Sequence, residues 1–200
     1  MGATVTALDI SPAMLGQARE KAERDGLTIS FDEGDVQSLR YGDASFDVVA
    51  SCFGLVFAPD REAVARELAR VCVQGGRLGL TAWRARPAQQ ELYERFRTGL
   101  GPAAEHTDWA AAGFAESLLG HAFELEIRSG VWLLEGDSPE ALYAWMAESA
   151  PPTKRYLEQL PVERHEAFRA AMVEYWAQFT DADDRVAEPR EYVLILGRRR

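Results

Sequence analysis

An acid at the end of a short strand, followed two residues later by a helix start, is the feature that most constrains this chain. Thr4 to Leu8 is β-rich, Asp9 follows, and Ser11-Pro12 then opens a helix. Ser11 is a natural N-cap, and Pro12 stands at the first helical position, where its missing N–H leaves nothing unsatisfied. A carboxylate at the carboxyl end of such a strand can accept hydrogen bonds from both hydroxyls of a ribose. A cradle of this kind has a first strand and a glycine-rich turn ahead of it, whereas Met1-Gly2-Ala3 alone precedes this one. The sequence therefore predicts half of a nucleotide cradle.

The alternation continues downstream. Ala13 to Asp25 sets Met14, Ala18 and Ala22 four apart on one helical face, with Gly26 where the helix stops. Ile29 to Phe31 gives a short strand running into Glu33-Gly34-Asp35-Val36. Phe46 to Phe53 is a mostly continuous apolar run, the pattern of a buried, central parallel strand. Pro59-Asp60 opens a helix carrying Val64, Leu68, Val71 and Cys72 at helical spacing, and Gly75-Gly76 precedes a strand from Arg77 to Ala82. Strand and helix alternate, so the fold predicted is α/β with a mostly parallel, Rossmann-like sheet.

From Trp83 the alternation gives way to aromatic-rich helical stretches around Leu92, Tyr93, Phe96, Trp109 and Phe114, read as a lid over one end of the sheet. Glu124 to Arg128 and Val131 to Leu134 read as strands, and Ser138-Pro139-Glu140 caps a helix. A long helix is predicted from Pro161 to Thr180 on the stripe Phe168, Met172, Tyr175, Trp176 and Phe179, with a last strand over Glu191 to Leu196. No repeat or low-complexity linker marks a second domain, so residues 1–200 are read as one.

Totals narrow the function. Two hundred residues at 47% hydrophobic content suit a sizeable core, and no apolar run approaches the roughly 20 residues that cross a bilayer. No membrane partner and no signal peptide are expected. Cys52 and Cys72 both sit in apolar patterns, which suits a reducing cytoplasm without disulfides. A net charge of −10 argues against a nucleic-acid partner, and Arg198-Arg199-Arg200 is read as a solvated tail.

Three stretches resemble the class I S-adenosylmethionine-dependent methyltransferases, in the small-molecule branch that includes quinone C-methyltransferases. They are Leu8-Asp9-Ile10-Ser11-Pro12-Ala13-Met14-Leu15, then Gly34-Asp35-Val36 with Phe46-Asp47-Val48-Val49, then Glu67-Leu68-Ala69-Arg70-Val71 with Gly75-Gly76-Arg77-Leu78. The resemblance covers about residues 1–85 and implies S-adenosyl-L-methionine as cofactor. It implies that Asp9 binds the ribose, that Ile10 and Met14 pack on the adenine, and that Asp35 after Gly34 accepts from the adenine amino group. Val36 would offer its N–H to a ring nitrogen, and Cys52, Phe53 and Gly54 would face the methionine part. Residues 1–82 would then be the cofactor half, 83–184 the lid and substrate side, and 185–200 the last strand and basic tail.

The chain departs from the family in having no counterpart of the first strand and glycine-rich loop, so an N-terminally shortened form with weak or absent methyl transfer as it stands is expected. That strand would lie between Thr4-Leu8 and Phe46-Phe53, and its absence predicts a gap. Sheet closure, a rearranged segment or a homodimer partner's strand would fill it.

Methyl transfer from a sulfonium is an in-line displacement that needs alignment more than a protein nucleophile. Phe57, Trp83 and Trp109 are candidates to hold a flat, small-molecule substrate. His106 is the candidate base, ahead of His121 and His165. No metal motif is present. Two alternatives remain, a non-catalytic methyltransferase-like partner subunit and an NAD-dependent oxidoreductase. The second shares the ribose acid, but none of the six tyrosines has a lysine four residues later.

Overall fold

A computed structural model describes residues 2–97 and 108–200. Along the chain the elements are β1 (Val5–Asp9), α1 (Pro12–Arg24), β2 (Ile29–Glu33), β3 (Phe46–Cys52), α2 (Arg61–Val71), β4 (Cys72–Trp83) and α3 (Pro87–Phe96). They continue with α4 (Phe114–Leu119), β5 (Phe123–Gly136), α5 (Pro139–Ser149), α6 (Pro151–Gln159), α7 (His165–Ala177) and β6 (Val186–Arg199). Two compact units result, one of residues 1–81, 112–127 and 195–200, the other of residues 82–111 and 128–194.

In the first unit β1 and β2 pair in parallel, from Val5↔Ile29 to Asp9↔Glu33. Helix α1 lies on this pair and buries Leu15 and Ala22. Its predicted cap is present, since Ser11 Oγ accepts from Met14 N at 3.4 Å. Strands β3 and β4 pair in parallel from Phe46↔Cys72 to Cys52↔Thr81, with a register shift between Phe46 and Val48. The shift accommodates the Gly75-Gly76 turn. Gly75 has φ +74, and a Cβ on Gly76 would stand 2.8 Å from Val73 O and 3.0 Å from Asp47 O, so no side chain fits. Asp60 caps α2 by accepting from Ala63 N at 2.8 Å, and the helix buries Val64, Leu68 and Val71.

The strands form two separate sheets, β1-β2 and β3-β4-β6-β5. This corrects the reading of β3 as a central strand: it is the edge of its sheet, and Val48 is 50% exposed. The far edges of β1 and β3 carry no strand among the described residues. An apolar run reports what a strand is suited to be buried by, but burial itself depends on neighbours that other segments supply.

A second correction concerns the basic tail. β6 runs through Arg199, whose guanidinium donates to Ala69 O at 3.0 Å and Ala122 O at 2.9 Å and lies 5.7 Å from the Phe123 ring centroid. Arg199 is a packed structural residue.

The second unit is built on an aromatic core in which Tyr93, Tyr156 and Phe96 surround the Phe168 ring at 5.3, 5.0 and 5.5 Å. Met172, Trp176 and Val186 complete its fully buried centre. The two strand pieces expected near 124–134 are one continuous strand, β5. The helix expected over 161–180 starts instead as a 3-10 turn, Val162–Arg164, before α7. The break falls where His165 Nε2 meets Leu157 O at 3.1 Å and Leu160 O at 2.9 Å, satisfying carbonyls at the end of α6.

Candidate functional site

Because β1 and β2 run in parallel and in register, Asp9 and the turn after Glu33 emerge at the same end of the sheet. Gly34 N donates to Asp9 O at 3.1 Å, which ties the two strand ends together. Asp9 Oδ1 accepts from Ser11 N at 2.8 Å. This Asx turn fixes the carboxylate with one oxygen committed, while Oδ2 has no hydrogen-bond partner among the described residues. A Cβ on Gly34 would stand 2.9 Å from Leu8 Cδ1, so the turn lies close against β1.

Asp35 is more tightly held. Oδ1 accepts from Gln37 N at 2.9 Å and from Gln37 Nε2 at 3.0 Å, and Oδ2 accepts from the same Nε2 at 2.8 Å. Gln37 Oε1 in turn accepts from Asp60 N at 2.8 Å, which fixes the orientation of the amide and anchors the turn to the start of α2. The Val36 N–H makes no hydrogen bond among the described residues. Ile10 is 69% exposed and Met14 39%, so two apolar side chains stand open in the segment that follows Asp9. Around one strand end lie two acids, a free N–H and an apolar surface.

The loop beyond Asp35 is clamped by Arg70. Its guanidinium donates to Leu39 O, Tyr41 O and Asp43 Oδ1 at 3.0, 2.7 and 2.9 Å, while Glu67 Oε2 accepts from Leu39 N at 2.7 Å. Bonding to Arg70 holds the Glu67 carboxyl below the usual carboxylate range. Burial, together with donation to Asp32 at 2.8 Å, pushes the Tyr41 phenol up to about 12. The resemblance covered Glu67 and Arg70 as a helix motif; their bonds make them the fastening of this loop.

Beyond β3 the chain turns sharply. Phe53 has φ +57, a left-handed conformation that costs an aromatic residue on the order of 1–2 kcal/mol. It is held by its N–H donating to Thr81 Oγ1 at 3.0 Å, and Leu55 N donates to Ser51 Oγ at 3.1 Å. Cys52 is an exposed free thiol, Gly54 is exposed and Phe57 is 46% exposed. All nine residues expected to hold a cofactor, and Phe57, fall in the first unit. Trp83 and Trp109 belong to the second unit, Trp83 beside Trp132 at 5.9 Å and Trp109 only 1% exposed. His106 lies outside the described residues; His121 is exposed, and His165 serves the helix end noted above.

Sequence reasoning missed Gln37 and Thr81. An acid two residues before a glutamine is a weak turn signal, and Thr81 stands 28 residues from Phe53, where no local pattern reaches. An open depression of about 370 Å³, lined by Asp47, Gly75, Arg77 and Arg198, lies at the start of β3, the end opposite Cys52. No group of three or more metal-ligating side chains occurs among the described residues, and no helix there is long and apolar enough to cross a membrane.

Residues 1–80 match a family model described as a methyltransferase domain. An uncharacterized protein of Mycobacterium tuberculosis is 43% identical over 82 residues, covering 41% of this chain and 30% of that protein. Demethylmenaquinone methyltransferase of Thermus thermophilus is 44% identical over 77 residues, covering 38% and 35%. The chain thus spans about a third of the length of these curated relatives. Among solved structures, a putative methyltransferase from Bacillus halodurans superposes with a TM-score of 0.62 at 19% identity, over 98% of this chain and 83% of that one.

Proposed function

From a chain whose residues 1–80 carry a methyltransferase domain, on the class I methyltransferase fold, we propose transfer of a methyl group from S-adenosylmethionine to a small, apolar or aromatic molecule. One observation carries this reading: Asp9 Oδ2, the remaining acceptor position of the Asp35 carboxylate and the Val36 N–H are open at one end of the β1-β2 pair, beside exposed Ile10 and Met14. A ribose diol would donate to Asp9 Oδ2, and an adenine amino group to Asp35. The Val36 N–H would donate to a ring nitrogen, while Ile10 and Met14 cover an aromatic face. These donor and acceptor types fit the adenosine half of the cofactor. When bound, the cofactor supplies an electron-poor methyl group on its sulfonium. The strained Phe53 turn, fixed by Thr81, would present Cys52, Phe53 and Gly54 on the methionine side, and alignment supplies the catalysis. Phe57 offers an aromatic face for the acceptor.

Calorimetric titration of the protein with S-adenosylhomocysteine, beside an Asp9→Ala variant, tests this. Micromolar binding lost in the variant supports it; absence of binding by folded protein removes it.

The edges of β1 and β3, which carry no strand among the described residues, favour a second reading, a non-catalytic subunit that takes a strand from a second copy. Sedimentation velocity separates the two. A monomer that binds S-adenosylhomocysteine sinks this reading, and a dimer that does not bind it supports it.

A further inference from the structure

In the second unit, β6 turns a carboxylate and a guanidinium toward the interior. Val186, Glu188 and Arg190 are buried while Ala187, Pro189 and Glu191 are exposed, the alternation of a strand with one covered face. Glu188 is 1% exposed and accepts from five donors. Oε1 takes Tyr175 Oη at 2.8 Å and Arg86 Nη1 at 3.1 Å. Oε2 takes Trp176 Nε1 at 3.0 Å, Arg190 Nη2 at 2.9 Å and Arg190 Nε at 3.2 Å. A carboxylate has about four lone-pair sites, so Glu188 has nothing left to offer.

The charges do not balance. Two guanidiniums share one carboxylate, and neither meets another acid among the described residues. The Arg190 side chain is 9% exposed, and burial followed by the like charge of Arg86 holds it below its ordinary pKa. A buried guanidinium lacking its own counterion is costly. The Arg86 side chain, at 25%, opens the cluster to solvent.

Two further features belong to the first turn of α3, which Arg86 opens. Arg86 is the N-cap of α3 but gives no side-chain cap, and the first turn holds no acid, so the positive end of the helix is unanswered. Gln89 in that turn is 7% exposed and makes no side-chain hydrogen bond among the described residues, its amide atoms keeping contact with solvent.

We propose that Arg86 and Arg190 form a binding site for a carboxylate in the second unit. A single excess positive charge matches a monoanion, and planar guanidinium forks match a planar carboxylate.

The test titrates the protein with benzoate and with benzamide, its uncharged isostere, following the indole N–H resonance of Trp176. Benzoate is expected to shift it saturably and benzamide to leave it in place. Arg86→Gln should weaken benzoate at least tenfold, with S-adenosylhomocysteine binding unchanged. No saturable shift, an equal response to benzamide, or wild-type benzoate affinity in R86Q overturns the site. If R86Q fails to fold, the benzoate–benzamide contrast in the unsubstituted protein decides alone. Benzoate binding without S-adenosylhomocysteine binding keeps the anion site and removes methyl transfer; the converse removes only the anion site.

Discussion

Gln37 Nε2 donates to both carboxylate oxygens of Asp35, at 3.0 and 2.8 Å, and the Gln37 backbone N–H adds a third bond. Three of about four acceptor positions are filled, which leaves Asp35 oriented with one for an incoming amine. On the proposed function Gln37 acts as a positioning residue. Gln37→Ala should weaken S-adenosylhomocysteine binding about fivefold, the ordering of one side chain at roughly 1 kcal/mol, in a calorimetric titration. Unchanged affinity would show that the carboxylate is placed without it.

Thr81→Val removes the acceptor that holds Phe53 in its left-handed turn. Loss of about 1–2 kcal/mol in urea unfolding is expected, because a backbone N–H is left unsatisfied while the strain stays. A larger loss of cofactor affinity than of stability would tie the turn to binding.

Glu188 shows how charge sets pH dependence. Burial raises its pKa, but Arg190, Trp176 and Arg86 together outweigh burial and hold it below the ordinary value of 4.5. A depressed folded pKa contributes stability that is present above the unfolded pKa and lost as pH falls through the folded one. Stability should therefore decline below about pH 4.5, and Glu188→Gln should flatten that decline. At pH 7 the same variant leaves the buried Arg190 and the half-buried Arg86 facing each other, with an expected loss of about 3 kcal/mol in chemical denaturation.

The three terminal arginines should separate in an alanine series. Arg199→Ala loses two bonds to Ala69 O and Ala122 O, with an expected cost of about 2 kcal/mol. Arg198→Ala and Arg200→Ala should lie within about 0.5 kcal/mol of wild type, as exposed substitutions do. Equal effects at all three would return the tail to solvent.

What the sequence by itself determined is what a few neighbouring residues decide. Ser11, Asp60 and Ser138 each cap the helix expected of them, with the acceptor oxygen and the N–H only three residues apart. Asp9 and Asp35 stand at strand ends because alternating patterns and turn residues fix where strands stop. Tertiary structure decided the rest. Glu-Pro-Arg-Glu at 188–191 has the composition of a surface loop, yet Tyr175, Trp176 and an arginine 102 residues away convert two of its charges into an interior. Phe46 to Cys52 has the pattern of a buried strand, yet it is an edge because a strand's burial depends on which other segments pair with it. Caps and periods are short-range properties of the chain; ion pairs, edges and the solvent exposure of a strand arise only when distant segments meet.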